Sequence, residues 1–415
     1  MTKQQKMIAW SLNIYVTSIL MCYITQNVVA NIMASYPGVA DYTVKSLTTL
    51  PTLFGLISTF VMGPLAMRVS KVKLMVSVML ATAAFSLIFF VNGLANGPFW
   101  LYYVACALAG YGMGSFGPLM NTIIGETFAE DERAPRIAAY NVANNCGAFV
   151  ILFLSGRIAA GNGGANWPYA YLLGLYCLVT MIVFVVMIGR AGYRDDRASR
   201  AARQAAHASD AVAAQDDGAF PIKPLLVIIG LGVLHLVFYI GVNAYYTNVS
   251  TWIAQNGFGG PVESANATSL VRFTLIVMTF LYPFWNKVLK SWMIPAGYAL
   301  AGIGLVCMML VPSVFGVYLC GFFVAFGTSV AHSTIYSKAL NYVPERITAL
   351  SSSLMWGLAN SGAFFSTYVL AAISAVVGGG MLTQLRAGAV ILACIFAIAI
   401  AIFVVNDPDR KRAKA

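Results

Sequence analysis

Long apolar stretches recur along almost the whole chain and are separated by short polar segments. Each holds about 20 residues, which is enough for a helix to cross a hydrocarbon core of roughly 30 Å. The stretches lack the alternating pattern of lipid-facing strands, so they predict helices rather than a barrel. We expect an all-α membrane protein with twelve transmembrane spans, at residues 8–33, 46–67, 74–93, 99–124, 137–158, 169–189, 224–250, 265–285, 291–311, 315–338, 348–376 and 384–405.

Composition and charge agree with a membrane protein. The chain is 60% hydrophobic and 9% charged, whereas soluble domains average about 45–50% and 25%. The net charge of +11 could suit nucleic acid, but 21 of the 25 basic residues fall on one side of the predicted spans, and the exceptions are Lys45, Arg157, Arg272 and Arg386. The positive-inside rule then predicts cytoplasmic termini in an inner or plasma membrane, with no nucleic-acid partner. The seven cysteines show no CxxC or Cys/His clustering, so we expect packing residues and no metal.

Several segments of the first half return in the second half. Residues 143–149 read ANNCGAF and residues 358–364 read LANSGAF, a shift of 215 positions. The stretch YITQN at Tyr23 is answered by YIGVN at Tyr239, and Gly112 is answered by Gly327. A nearly constant offset over separate segments indicates a duplication in which six spans were copied to give twelve.

The duplication divides the chain into three parts. We expect an N-terminal six-helix half at residues 1–189 and a C-terminal half at residues 223–415. Residues 190–222 are rich in alanine, mixed in charge and without apolar periodicity, so they predict a cytoplasmic linker.

Two six-helix halves joined by a long loop resemble the major facilitator superfamily, and the resemblance covers essentially the whole chain. The loop between spans 2 and 3 in that family typically reads G-x-L-A-D-R-x-G-R-K-R. Met67 stands here in place of the aspartate and Ser70 in place of the second glycine, while the matching positions are Gly63, Leu65, Ala66, Arg68, Lys71 and Lys73. The resemblance implies a gating loop at Gly63, Arg68, Lys71 and Lys73 that lacks the family's aspartate latch to the facing half. The span 4 arginine common in proton-driven drug exporters is also missing from residues 104–110.

The resemblance also suggests a role for the repeated heptapeptides. Spans 5 and 11 of the family are equivalent helices at the seam between the halves. Gly147 and Gly362 would let helices approach closely at that seam. Asn145 and Asn360 would either bond across the seam or flank the cavity.

The polar and ionisable side chains inside the predicted membrane region are positive or neutral. All fourteen acidic residues fall at span ends or in loops. Arg272 lies inside span 8, where it is either an anion ligand or a side chain that snorkels to the headgroups. His235, Tyr239 and Asn243 share one face of span 7, and His332 and Tyr336 share one face of span 10. Each histidine is either a cavity residue or a hydrogen-bonded structural residue, and either could couple to protons.

In the resembling family, spans 1, 4, 7 and 10 line the central path. The resemblance therefore adds Tyr23 and Asn27 of span 1 and Asn121 of span 4 to the candidate substrate-binding residues.

The sequence and the resemblance together predict a secondary active transporter that works by alternating access. We expect a small organic anion as substrate, moved by exchange or by proton symport. A carrier of neutral amphipathic solutes and a non-transporting receptor with the same fold are the alternatives. No Walker loop, HExxH or GxSxG motif is present. We therefore expect no enzyme activity and no cofactor, and a functional monomer whose partners are its substrate and the lipid bilayer.

Overall fold

A computed structural model describes residues 1–193, 195, 222–341 and 348–405. Throughout these residues the secondary structure consists of helices joined by turns, without strands, so the expected all-α class is confirmed. Most of the linker predicted at residues 190–222 lies outside the described residues.

The described residues form twelve long helical units at the predicted positions. The N-terminal half contains α1 (Lys3–Val16, continued by Ile24–Ser35), α2 (Leu50–Arg68), α3 (Lys71–Ala95), α4 (Trp100–Thr127), α5 (Glu130–Ala159) and α6 (Tyr176–Arg190). The C-terminal half contains α7 (Ile222–Tyr246), α8 (Pro261–Leu289), α9 (Met293–Leu310), α10 (Val314–Asn341), α11 (Thr348–Val377) and α12 (Gly380–Ile400). Short helices at Asp41–Ser46 and Val249–Gln255 flank α2 and α7, and a 3₁₀ segment at Trp167–Leu175 leads into α6.

Hydropathy alone does not distinguish all twelve helices. Among the described residues, ten stretches are long and apolar enough to cross a membrane, and one of them, Pro261–Leu310, contains both α8 and α9. Helix α4 is 28 residues long but is not among the ten. Its middle, residues 110–117, holds four glycines, which lower its hydropathy while allowing close packing against α2.

The repeated glycines pack helices within each half. A Cβ placed on Gly147 of α5 would lie 2.1 Å from the carbonyl oxygen of Thr17 in α1, and one on Gly362 of α11 would lie 2.2 Å from that of Leu236 in α7. Real Cβ atoms almost never come closer than 3.0 Å to a neighbour. The expectation of close helix approach therefore holds, but the approach joins α5 to α1 and α11 to α7, not one half to the other.

Helices α5 and α11 do lie at the seam between the halves, where α5 packs on α8 and α11 packs on α2. The glycine at the tight α5–α8 contact is Gly156, where an added Cβ would lie 2.2 Å from the Cβ of Ala265. The side-chain nitrogens of Asn145 and Asn360 each donate to a carbonyl oxygen of their own helix, at 2.9 Å. Neither asparagine therefore forms the cross-seam bond that the sequence suggested.

The helix bundle has two different ends. We call the end with Lys3, Arg68, Arg190 and Asn341 the terminal end, and the opposite end the distal end. Among the described residues, every hydrogen bond between the halves lies in the distal part of the helices. This conformation is thus closed at the distal end.

Three of the bonds at the distal end show how the closure is built. The Nζ atom of Lys45 donates to Oδ1 of Asn248 at 2.7 Å, and the hydroxyls of Thr49 and Thr367 lie 2.9 Å apart. The hydroxyl of Ser250 donates to the carbonyl oxygen of Asn27 at 3.0 Å. Among the described residues the closure uses neutral acceptors, so opening it separates hydrogen bonds and no ion pair.

Candidate functional site

Arg272 is buried in the interior of the bundle. Its side chain is 8% exposed, and it lies 11 residues after Pro261, roughly 16 Å along α8 from the distal end. Its guanidinium carbon is 4.3 Å from the centre of the Tyr23 ring of α1. A snorkelling arginine would place its charge in the headgroup region, and this geometry does not.

The charge of Arg272 has aromatic neighbours and no carboxylate partner in the part of the chain that the structure describes. The ion pairs of that part join Lys71 to Glu126 and Asp195, and the buried Nε atom of Arg272 has no hydrogen-bond partner. The hydroxyls of Tyr23, Tyr239 and Tyr246 interact electrostatically with the guanidinium. Ring faces stabilise a buried cation only in part, so the guanidinium charge is not fully compensated by the described residues around it.

Tyr23 and Tyr239 are the equivalent tyrosines of the two copies of the repeat. Tyr23 of α1 packs against Arg272, and Tyr239 of α7 is near enough for its hydroxyl to interact with the guanidinium charge. The site lies between the halves and uses both of them.

The two histidines that the sequence selected on separate helices are in contact. Nε2 of His235 lies 2.9 Å from Nδ1 of His332, and the hydroxyl of Tyr239 lies 3.2 Å from the same Nδ1 atom. The ring of Tyr336 packs against His332 with 4.5 Å between centroids. His235 is fully buried, and its Nδ1 atom has no partner. We call His235 and His332 the histidine pair.

Tyr239 connects the histidine pair to Arg272. Its hydroxyl contacts His332 and interacts with the charge of Arg272. Five side chains that the sequence proposed separately therefore form one continuous site with Arg272, and they are Tyr23, His235, Tyr239, His332 and Tyr336.

Three further candidates lie apart from this cluster or have protein partners. The amide nitrogen of Asn27 donates to the carbonyl oxygen of Leu152 and to Ser155, and its oxygen accepts from Thr268 of α8 at 2.6 Å. Asn27 thus joins the halves in this conformation.

The other two candidates are Asn243 and Asn121. The amide of Asn243 donates to the carbonyl oxygen of Tyr239 in its own helix at 2.7 Å. Asn121 is exposed near the terminal end of α4 and accepts from the hydroxyl of Tyr140 at 3.0 Å. Substrate contact by these two residues stays a prediction.

Sequence reasoning missed Trp356 of α11. Its ring lies 5.7 Å from His332 and 6.2 Å from Tyr336, measured between centroids. One available signal was its position four residues before Asn360, on the same face of α11 as the repeated motif.

The predicted gating loop is organised by Lys71, at the start of α3. Its backbone N–H donates to Asp195 at 2.5 Å, and its buried Nζ atom lies 3.1 Å from Glu126 and 3.3 Å from Asp195. Arg68 and Lys73 are exposed, and Gly63 lies within α2. All described ion-pair partners of Lys71 belong to the N-terminal half or directly follow it, so in this conformation the loop is held to its own half.

The pKa of the Asp195 carboxyl lies below its ordinary value because of Lys71. Burial raises the pKa of this carboxyl, but the hydrogen bond from the Lys71 N–H and the nearby ammonium charge together outweigh burial and hold the pKa below its ordinary value.

Comparison with known proteins places this architecture in a family. The sequence model of the Major Facilitator Superfamily matches residues 12–367. The chain belongs to the major facilitator superfamily. Its resemblance to that family is therefore confirmed, and the protein is a multi-pass membrane transporter, not an enzyme. No protein with a curated description matches the chain.

Solved structures with a similar fold cover nearly the whole chain. A crystal structure of the peptide transporter POT in complex with sulfate has a TM-score of 0.71 at 17% identity and covers 95% of each chain. The POT family transporter PepTSo has a TM-score of 0.69 at 14% identity, over 98% of this chain and 99% of that chain. A POT family transporter in complex with 5-aminolevulinic acid has a TM-score of 0.68 at 13% identity, over 97% and 96%. At identities of 13% to 17%, the similarity shows that this chain and those transporters share a fold.

Proposed function

We propose that this transporter is a secondary active carrier of a small organic anion and that Arg272 binds the anionic group. The observation that carries the proposal is a buried guanidinium, 8% exposed, whose Nε atom has no partner and which takes part in none of the described ion pairs. A buried charge without a counter-ion is unfavourable. An anionic substrate would supply that counter-ion.

A carboxylate suits this site best. The planar fork of arginine accepts a carboxylate through two parallel N–H···O bonds. The ring of Tyr23 lies against the guanidinium, and Tyr23 and Tyr239 would offer hydroxyl donors and ring faces to the rest of the substrate. Tyr336 and Trp356 would complete an aromatic wall beside the histidine pair.

We further propose that the terminal end faces the cytoplasm. The predicted excess of basic residues at that end supports this orientation. With the distal end closed by hydrogen bonds between the halves, the conformation is then the inward-facing one. Rocking of the halves about the site would break the distal bonds and open the site outward.

The similar structures bear on the choice of test compounds. They include a peptide transporter in complex with sulfate and a POT family transporter in complex with 5-aminolevulinic acid, and both bound compounds carry an anionic group. A labelled panel should therefore include lactate, succinate, benzoate, 5-aminolevulinic acid, a dipeptide, sulfate and the neutral solute glucose.

Uptake of this panel into proteoliposomes tests the proposal, with variants compared at equal protein in the membrane. Arg272→Ala removes the charge-assisted bonds and should raise the KM for carboxylates about 10- to 100-fold or abolish uptake. Arg272→Lys keeps the charge without the fork and should retain part of the uptake.

Arg157→Ala is the matched control. Arg157 also lies at the seam in the distal part of the bundle, but its guanidinium is exposed and donates to Phe153 and Asn266. Loss of the bond to Asn266 should weaken the distal closure but removes no anion ligand, so this variant should keep a KM for carboxylates close to that of the wild type. Uptake of carboxylates by Arg272→Ala at the level of Arg157→Ala would show that Arg272 is no anion ligand.

Transport of neutral amphipathic solutes is the second candidate function. It is favoured by the aromatic character of the site, in which Tyr23, Tyr239, Tyr246, Tyr336 and Trp356 outnumber the charged side chains. Uptake of glucose or another neutral solute that is insensitive to Arg272→Ala would support this candidate.

A further inference from the structure

We propose that the histidine pair carries one proton per transport cycle, so that anion transport is proton symport and not exchange. This inference rests on the proposed function, because it concerns the same site and the same substrate class. It goes beyond that proposal by assigning the coupling ion, its binding residues and its stoichiometry.

The geometry of the pair limits it to one added proton. The facing atoms, Nε2 of His235 and Nδ1 of His332, are 2.9 Å apart, a distance at which one nitrogen donates and the other accepts. The neutral pair therefore shares one proton between the rings and keeps a free lone pair on an outer nitrogen. A single added proton fills that lone pair and leaves the bond intact. A second would point two N–H groups at each other and break the bond.

The structure shows where the added proton can be bound. When His235 donates to His332, its own Nδ1 is an acceptor, and this atom is buried without a hydrogen-bond partner. When the bond runs the other way, the acceptor is Nε2 of His332, a ring that is only partly buried. Reversal of the shared bond thus connects a buried acceptor with a more accessible one. The proton enters from water and leaves to water, and no covalent bond other than N–H forms or breaks.

The side chains around the histidine pair favour the pair itself as the proton carrier of the site. The groups packed around it are Tyr239 of α7, Tyr336 of α10 and Trp356 of α11, with Phe238 leading to Tyr298 of α9. Tyr239 links the pair to the Arg272 site, because its hydroxyl contacts His332 and interacts with the guanidinium charge. Within the described membrane helices, Glu126 and Glu263 lie near the helix ends. Histidine titrates nearest to neutrality among the remaining side chains.

Arg272 couples the proton to the anion. A proton on the pair adds a second positive charge beside Arg272, and the two charges repel when the site is empty. A bound carboxylate attracts both, so each ligand increases the affinity for the other by the same factor. The site therefore favours the state with both ligands and the state with neither, which is the requirement for symport.

The test uses proteoliposomes that contain a pH-sensitive dye and receive the same labelled carboxylates. For a monovalent anion such as lactate moved with one proton, accumulation should rise about tenfold for each unit of imposed pH gradient, and the interior should acidify as lactate enters. Movement of carboxylates without acidification, and without a response to the gradient, would overturn the histidine pair as coupling site and leave the anion proposal standing. Failure of every panel anion to move would overturn both.

Variants of the histidine pair test whether the pair couples proton movement to anion transport. In the double variant His235→Gln/His332→Gln the two amides can still bond between α7 and α10, but neither binds a proton at neutral pH. The tenfold response to the gradient should fall to none, while counterflow of labelled against unlabelled lactate, which needs no net proton movement, should remain measurable at a changed KM. His207→Gln, in the predicted linker, should keep the full response.

Counterflow also serves as the control for folding, and Arg272→Ala should lose it together with uptake. A gradient response that survives in the double variant would refute the proposal.

Discussion

Replacing Gly147 and Gly362 by alanine tests the packing that the repeat has preserved. A Cβ on these glycines would lie 2.1 Å from the Thr17 oxygen and 2.2 Å from the Leu236 oxygen. Ordinary contact begins near 3.4 Å, so each helix pair must separate by roughly 1 Å. Both clashing atoms are backbone carbonyl oxygens, which cannot rotate away as a side chain can. Overpacking of this kind costs about 1–3 kcal/mol, and we expect the upper part of that range for each variant.

The two variants should also be additive. Gly147 packs α5 on α1 in one half, and Gly362 packs α11 on α7 in the other, so they share no contact partner. Distant sites without shared partners usually add to within about 0.5 kcal/mol. The double variant should therefore lose about twice the stability of either single variant.

Thermal unfolding of the purified protein in detergent, followed by the fraction that remains monodisperse, measures the effect. Gly230→Ala in α7 and Gly189→Ala in α6 are the controls, since an added Cβ at either position meets nothing within 4 Å. If Gly147→Ala and Gly362→Ala melt together with these controls, the close approach of the helices does not stabilise the fold and the argument is wrong.

Two other perturbations address closure and the gating loop. Thr268→Val removes the 2.6 Å bond to Asn27 and should destabilise the closed distal end by about 1–2 kcal/mol. Spin labels on the distal ends of the two halves should then report longer distances. Thr279→Val loses only a bond within α8 and should leave these distances unchanged. Asp195→Asn should destabilise the protein at neutral pH by about 1 kcal/mol. Because Lys71 lowers the pKa of the Asp195 carboxyl, its stabilisation is present above the ordinary value near 4 and is lost as pH falls through the lowered pKa. Melting curves of variant and wild type should therefore converge only in strong acid, and a constant difference at all pH values would contradict the assignment.

The sequence was sufficient for the number, type and approximate position of the helices. A span needs a long apolar run, and each of the twelve runs produced a helix. Helix α4 shows where hydropathy fails to predict a span. Its glycines lower its hydropathy, although its length and its position in the chain are those of a membrane span. Close packing at Gly147 and Gly362 could also be expected from residue size. The partner helix could not, because it depends on the tertiary arrangement of helices more than 100 residues apart along the chain.

The candidate site was predicted as separate parts. Periodicity placed His235 with Tyr239 and His332 with Tyr336, but it contains no information on contacts between α7 and α10. The contact between the histidines, and the choice between a buried and a snorkelling Arg272, required the structure. Substrate contact by Asn27 stays a prediction, and the sequence did not reveal that this side chain has protein partners in the present conformation. A buried amide needs partners, and the protein supplies them from α5 and α8.

Duplication and divergence together account for the form of the site. At the offset of the repeat, His235 and His332 correspond to Ile19 and Gly117, so the titratable groups occur in one copy. The tyrosines at positions 23 and 239 were kept in both copies. The C-terminal half thus supplies the charge and the N-terminal half supplies the ring face that contacts it, at 4.3 Å. Because this contact crosses the seam, movement of the halves changes the environment of Arg272 directly. A site built in this way would link the position of the halves to the binding of the proposed anion, without a separate gate to carry the signal.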